Sequence, residues 1–211
     1  GHLILFGVNT VPDKQIKNQL FNSLVIVNHK LDVLFKYNKI KLVPFGEFLP
    51  FENLLSNLGF KKITEGHGSF SRGKEQSVFV LDKLKMLPLI CYEIIFPELS
   101  QKYEQKNLIV NISEDAWFGD TIGPSQHLAK AIFRSVENNV FLIRSANKGF
   151  SAFVDNKGVI KKILNPNETG VIELNVPFIN NSSKKYKIDL IFFILLFTCV
   201  FIFVIFKKNE N

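Results

Sequence analysis

The chain has 211 residues and a formal net charge of +7, room for one domain with a sizeable core and a short appendage. Its two cysteines lie far apart and no His, Cys, Asp and Glu group has metal-ligand spacing, which excludes a disulfide framework and a zinc-type centre. The lysines are spread along the chain with no nucleic-acid motif beside them, so the basic balance reads as a solvated surface, and the 22 phenylalanines fit an AT-rich genome.

The first element is "LILFGV", Leu3 to Val8, which starts in mid-pattern without a leading Met and reads as a buried strand. On sequence alone this reads as a fragment or a processed piece. Further β-rich runs follow at Ser23 to Asn28, Val78 to Leu81, Leu87 to Cys91, Leu108 to Ile112, Val140 to Ser145, Ser151 to Asp155 and Gly170 to Leu174. "VDNKGVI", Val154 to Ile160, reads as a hairpin that turns at Asn156, Lys157 and Gly158. Short helices are expected at Glu52 to Leu58 and Phe96 to Gln105. The best helix is Pro124 to Asn138, with Pro at its start and apolar residues at Leu128, Ile132, Phe133 and Val136.

Strands mixed with a few helices give an α/β or α+β layered domain over residues 1–178. A polar linker over 179–189 follows. Leu190 to Phe206, "LIFFILLFTCVFIFVIF", is a run of 17 residues without a charge. At about 1.5 Å per residue it reaches about 25 Å, so the sequence predicts a transmembrane helix over 190–206 and a polar tail over 207–211. Lys184 to Lys187 before it and Lys207-Lys208 after it are placed to snorkel, and their numbers do not fix an orientation.

Cys91 ends a strand, where a thiolate can attack an acyl carbon or, equally, pack as a small hydrophobe. Lys39 in "KYNKIKLVPFGE" is one lysine among many, but beside a cysteine nucleophile it would lower the thiol pKa or hold an oxyanion. Glu47 sits in a turn fixed by Pro44 and Gly46, which either closes a loop or aims a carboxylate. Glu93 lies two residues past Cys91 and would share its face if the strand continued. Trp117, the one tryptophan, follows a strand in "DAWFG" and suits either a pocket wall or the core. His127, in the first turn of the expected helix, reads as a cap, a buried polar group or a catalyst, and His67 reads as loop.

Taken together, "YNKIKLVPFGEFLP", "ICYEIIFPE", "DAWFGDTIGPSQHL" and "RSANKGFSAFVD", in that order, resemble the apolipoprotein N-acyltransferases of the nitrilase superfamily. The resemblance implies a nitrilase-type sandwich of two β-sheets between helices, incomplete at its N-terminus. It also implies a catalytic domain on the periplasmic side of the bacterial inner membrane. The reaction implied is acyl transfer from a phospholipid donor to the N-terminal diacylglyceryl-cysteine of an apolipoprotein acceptor, through a cysteine thioester. By position Cys91 matches the nucleophile and Lys39 the catalytic lysine. Glu47 and Glu93 match supporting acids, and Tyr92 and Trp117 match residues lining the site. No metal, soluble cofactor or nucleic acid is implied. The family's general-base Glu would precede Gly1, so the fragment alone is expected to be inactive. Glu114 stands where the family usually reads Asn, which adds a negative charge. Two other readings fit the same residues: a membrane-anchored amidase cleaving small carbon–nitrogen bonds, and a non-catalytic piece that binds lipid or a partner.

Overall fold

The computed structural model describes residues 2–12, 19–51, 69–177 and 188–209. They divide into an α/β unit within Gly1–Asn181 and a helical unit within Ser182–Asn211. The helix expected at Glu52 to Leu58, His67 and most of the linker lie outside the described residues.

The α/β unit holds two sheets. The first is antiparallel, β1 (Leu3–Thr10), β2 (Phe21–Asn28) and β3 (Val33–Asn38) in that order. The second runs in chain order from β4 (Phe79–Leu81) and β5 (Leu84–Ile90) through β6 (Leu108–Glu114) and β7 (Phe141–Asn147) to β8 (Ser151–Val154) and β9 (Ile160–Leu164). Its centre, β5-β6-β7, is parallel, and its edges are antiparallel.

Side-chain parity assigns the two faces of the larger sheet. Met86, Ile90, Leu108, Val110 and Phe141 point toward Leu24, Ile26 and Tyr37 of the smaller sheet and fill the space between the two. Leu87, Leu89, Ile109 and Leu142 point the other way and pack on Leu99, Leu128 and Ala131 of two helices, α1 (Pro97–Gln101) and α2 (Gly123–Asn138). Both faces of β5 to β7 are therefore covered, which is why these strands are continuous apolar runs. Pro88, which has no N–H, is tolerated because β4 pairs with β5 only as far as Met86.

Several expectations are corrected in detail. The strand to Cys91 ends at Ile90. Gly170 to Leu174 forms no ladder among the described residues, although Ile172, Leu174 and Val176 alternate as half-buried positions. The period-two pattern there reflects packing without a hydrogen-bonded neighbour. β3 and β9 carry mixed polar and apolar residues and were not legible as strands. The hairpin at Val154 to Ile160 forms, with Gly158 N–H on the Asp155 carbonyl. Helix α2 forms as expected and ends at Asn139 in the left-handed region, φ 52°. Its inward face matches the expected one at Leu128, which is buried, and Ile132, which packs on the core, and differs elsewhere. Phe133 is 56% exposed and Val136 is exposed, whereas His127, Arg134, Ser135 and Asn138 are buried.

The expected membrane span needs a larger correction. A helix, α3 (Ile188–Asn209), does form over 190–206. Among the described residues, however, no helix is long and apolar enough to cross a membrane.

Ile109 is fully buried at the centre of the larger sheet. We expect Ile109→Ala to lower the unfolding free energy by about 2–5 kcal/mol in denaturant titration, and an unchanged midpoint would contradict this placement of the core.

Candidate active site

The chemistry-bearing side chains gather where the three parallel strands end, the edge at which open α/β sheets build their sites. Cys91 is the first residue after β5 and opens a 3-10 helix, Cys91–Ile95. Its backbone is left-handed, φ 49°, a conformation that costs a residue bearing a Cβ about 1 kcal/mol or more. The thiol is part-buried and lies 3.7 Å from the Glu114 carbonyl at the end of β6.

The 3-10 helix corrects the expectation for Glu93. It does not share a strand face with Cys91; its side chain turns inward and is fully buried. Oε2 accepts the Ile90 N–H at 2.9 Å, and Oε1 accepts the N–H groups of Ile40 at 2.6 Å and Lys41 at 3.1 Å. The Tyr37 hydroxyl lies 2.7 Å from the same Oε1 and 2.7 Å from Gln76 Oε1. One carboxyl thus ties the residue before Cys91 to the two residues after Lys39. Burial pushes the Glu93 carboxyl up, against the hydrogen bonds from Ile90, Ile40, Tyr37 and Lys41. Burial and the nearby Glu93 charge likewise raise Tyr37 above the ordinary phenol range.

Lys39 is buried at 1% exposure, so it is no surface lysine. Its Nζ donates to both oxygens of Glu47, at 2.9 and 2.8 Å. The rigid turn around Glu47 therefore aims its carboxylate at the ammonium. Asn22 Nδ2 and the Val43 N–H also donate to Glu47, at 2.9 and 2.8 Å, so four bonds occupy the two oxygens. Gly73 closes over this segment: its N–H reaches the Lys39 carbonyl, and a Cβ there would sit 2.1 Å from the Asn38 oxygen.

A second polar cluster lies on the helix side of the larger sheet. Asp115, just past β6, is fully buried and accepts from Arg144 Nη2 at 2.6 Å on Oδ2 and from the Ser113 hydroxyl at 2.7 Å on Oδ1. His127 Nδ1 lies 2.9 Å from Oδ1. Arg144 also donates to Asn111 Oδ1 and, at 3.2 Å, to the Phe150 carbonyl. Burial alone would raise the Asp115 carboxyl, but the His127 hydrogen bond and the Arg144 charge outweigh it and hold the group at about 2. Gly149 belongs to the same constraint, since a Cβ there would fall 2.2 Å from Asp115 Oδ2.

The remaining expected residues stand apart from these contacts. Tyr92 packs edge-on against Phe96, ring centroids 4.9 Å apart. Trp117 is 55% exposed on a one-turn 3-10 helix, Ala116–Phe118. It does not line the cavity of about 330 Å³ beside it, which is formed by residues including Ala116, Asp120, Ser125 and Lys148. The Glu114 carboxylate is held by the Ala116 N–H and Asn147 Nδ2 at 3.0 and 2.7 Å. Arg144, Asn111, Tyr37 and Gln76 were missed in the sequence. The available signal was the charge of Arg144 inside the apolar run Val140 to Ser145. Among the described residues no group of His, Cys, Asp and Glu is arranged to hold a metal ion.

Comparison with known proteins gives the family and the fold. The carbon-nitrogen hydrolase family matches residues 2–179. The chain is 42% identical over 160 residues to the apolipoprotein N-acyltransferase of Rhizobium rhizogenes (strain K84 / ATCC BAA-868), across 75% of this chain and 30% of that protein. It is 40% identical over 182 residues to the apolipoprotein N-acyltransferase of Bradyrhizobium diazoefficiens, across 84% of this chain and 34% of that one. The chain thus spans about a third of the length of these relatives. Among solved structures, an amidase from Nesterenkonia sp. AN1, with acrylamide added at its active-site cysteine, superposes with a TM-score of 0.56. At 18% identity, over 79% of this chain and 60% of that one, the likeness shows the fold.

Two measurements check this geometry. Glu93→Gln puts an amide NH2 against one of the backbone N–H groups, and we expect a loss of about 1–3 kcal/mol in denaturant titration; an unchanged midpoint would remove the clamp. Asp115 has its carboxyl depressed in the folded state from 3.8 to about 2. Its stabilisation is therefore present above about pH 4 and is lost as pH falls toward 2, on the order of 2 kcal/mol in all. Asp115→Asn is expected to flatten the pH dependence of the unfolding midpoint in that window, and a slope equal to the parent's would refute the assignment.

Proposed function

This chain belongs to the carbon-nitrogen hydrolase family, and on that premise we propose that Cys91 takes an acyl chain from a membrane phospholipid as a thioester and passes it to the N-terminal amino group of an apolipoprotein's diacylglyceryl-cysteine. The observation that carries this reading is the tie between Lys39 and the Cys91 turn through Glu93. The names of the relatives at about 40% identity support the choice of donor and acceptor.

In the first step the Cys91 sulfur adds to the ester carbonyl of the phospholipid and the thiol proton leaves to a base. The oxyanion that forms is stabilised by the ammonium of Lys39, a buried cation whose charge is poorly screened there. Collapse expels the lysophospholipid alkoxide, which takes a proton, and leaves the thioester. In the second step the acceptor's amine adds to the thioester carbonyl, loses a proton and displaces the Cys91 thiolate. The thioester divides one difficult transfer into two easier ones.

Glu47 and Glu93 act as holders in this scheme. Both carboxyl groups are occupied by donors in the resting protein, Glu47 by Lys39, Asn22 and Val43, and Glu93 by backbone N–H groups. The thiol proton is therefore expected to go to a base other than these two. On this reading the reaction belongs to the periplasmic face of the bacterial inner membrane, where donor and acceptor both reside. It needs no metal or soluble cofactor.

The test uses the full-length protein with phospholipid vesicles. Intact-mass spectrometry is expected to show one fatty-acyl adduct that maps to Cys91 and is absent from Cys91→Ala. Turnover of small amides with no lipid adduct would replace this reading with an amidase.

A further inference from the structure

Helix α2 buries a histidine whose contacts the acyl-transfer scheme leaves unused. His127 stands in the first turn of α2, buried at 5% exposure. Its Nδ1 faces Asp115 Oδ1 at 2.9 Å, with Arg144 Nη2 3.1 Å away. The edge of the Phe118 ring system packs against the imidazole, centroids 5.6 Å apart. On the other side of the ring, Nε2 lies 3.2 Å from the backbone carbonyl of Cys91. Carboxylate and carbonyl oxygens only accept, so both ring nitrogens donate, Nδ1–H to Asp115 and Nε2–H to the Cys91 carbonyl.

The chain of contacts joins three successive parallel strands at their ends. Arg144 lies in β7, Asp115 follows β6 and Cys91 follows β5. Arg144 holds Asp115, Asp115 fixes the imidazole, and the imidazole holds Cys91. The residue at the end of the chain is also the strained one, with its left-handed φ of 49°. Such a conformation persists only where the surroundings over-determine it. Cys91 opens the 3-10 helix and its thiol faces the Glu114 carbonyl. The bond from His127 is the side-chain contact on its carbonyl.

We propose that His127 is a positioning residue for the nucleophile: through Nε2–H it grips the Cys91 carbonyl and fixes the left-handed backbone from which the thiol is presented. This assignment rests on the reading of Cys91 as the acylated residue. It gives the Asp115–Arg144 pair a purpose beyond burying two charges, since the pair orients the ring that does the gripping. His127 touches no substrate in this account, and it acts on rate through the position of sulfur.

The test is built so that the donor and the histidine fail separately. A p-nitrophenyl ester of a medium-chain fatty acid acylates a reactive cysteine without any phospholipid, and release of p-nitrophenolate reports that step alone. In the full-length protein, His127→Phe preserves an aromatic ring beside Phe118 and removes the donor, whereas His127→Gln retains an N–H. The Phe variant is expected to lose on the order of 100-fold in the acylation rate at saturating ester, with its half-saturation concentration unchanged. The Gln variant is expected to regain about tenfold of that loss. Equal thermal midpoints for the two variants separate positioning from stability. A Phe variant as fast as the parent overturns the proposal, as does a Gln variant that is equally slow at the same midpoint. The resting protein gives a check that needs no ester: with isotope-labelled histidine, NMR is expected to show a slowly exchanging proton on His127 Nε2, and a ring bare at Nε2 refutes the grip. Acylation by the ester with none from phospholipid would sink the phospholipid reading and leave the role of His127 intact.

Discussion

The arrangement depends on one buried carboxyl. Glu93 accepts from the backbone of Ile90 on one oxygen and from Ile40 and Lys41 on the other. Lys39 and Cys91 are far apart in sequence and come from different sheets, Lys39 just after β3 and Cys91 just after β5. Packing alone fixes such segments only to within side-chain tolerance. Hydrogen bonds to backbone N–H groups fix them to tenths of an ångström, and a rate that depends on placement needs that precision. Burial raises the carboxyl's pKa and three backbone donors oppose the shift. An unmet donor in that position would cost more than the bond contributes. The 3-10 helix at Cys91 is the local consequence: a continued strand would have aimed Glu93 elsewhere.

Polar groups at this end of the sheet satisfy one another. Lys39 pairs with Glu47, and Asp115 with Arg144 and His127. A buried pair is weak evidence for stability, because desolvation offsets much of the attraction. What such pairs supply is a fixed orientation of charge. In the first pair the ammonium is directed by a turn held rigid between Pro44 and Pro50. In the second the carboxylate is held in the crowded space that Gly149 leaves open. The cost of burying these charges is spent at the strand ends, where the backbone already leaves polar groups to be met.

The sequence revealed the elements with apolar runs and concealed those that depend on partners. β1, β2 and β4 to β8 were legible because their runs are apolar, although β1 is an edge strand with no buried residue, and α2 because Pro124 and the Asn138-Asn139 pair frame it. β3 and β9 mix lysines with apolar residues, and only pairing with a neighbour declares them strands. At the site, Cys91, Lys39, Glu47 and Glu93 were all singled out, yet their relations were not. Whether Glu93 faces the thiol or the core turns on one residue of backbone geometry, and no local pattern encodes φ at Cys91. The apolar run at 190–206 declared a helix correctly, but among the described residues no helix is long and apolar enough to cross a membrane.

The inward face of α2 is the most informative disagreement. A pattern read for hydrophobic periodicity put Phe133 and Val136 inside, and the structure exposes both while burying His127, Arg134, Ser135 and Asn138. Each of these four has a hydrogen-bond partner outside its own place in the helix or one turn back: the Cys91 carbonyl, the Ile95 carbonyl, the Ile132 carbonyl and the Ser100 hydroxyl. Three of those partners lie between Cys91 and Ser100, the stretch that contains the 3-10 helix and α1. Short helices leave the carbonyls of their last turn unpaired, and a helix packed over their ends offers donors where a helix packed over a sheet offers methyl groups. The polar face of α2 is therefore the surface on which the Cys91 turn is seated. An apolar helix in the same place would cover the sheet equally well and remove the His127 contact from the Cys91 carbonyl.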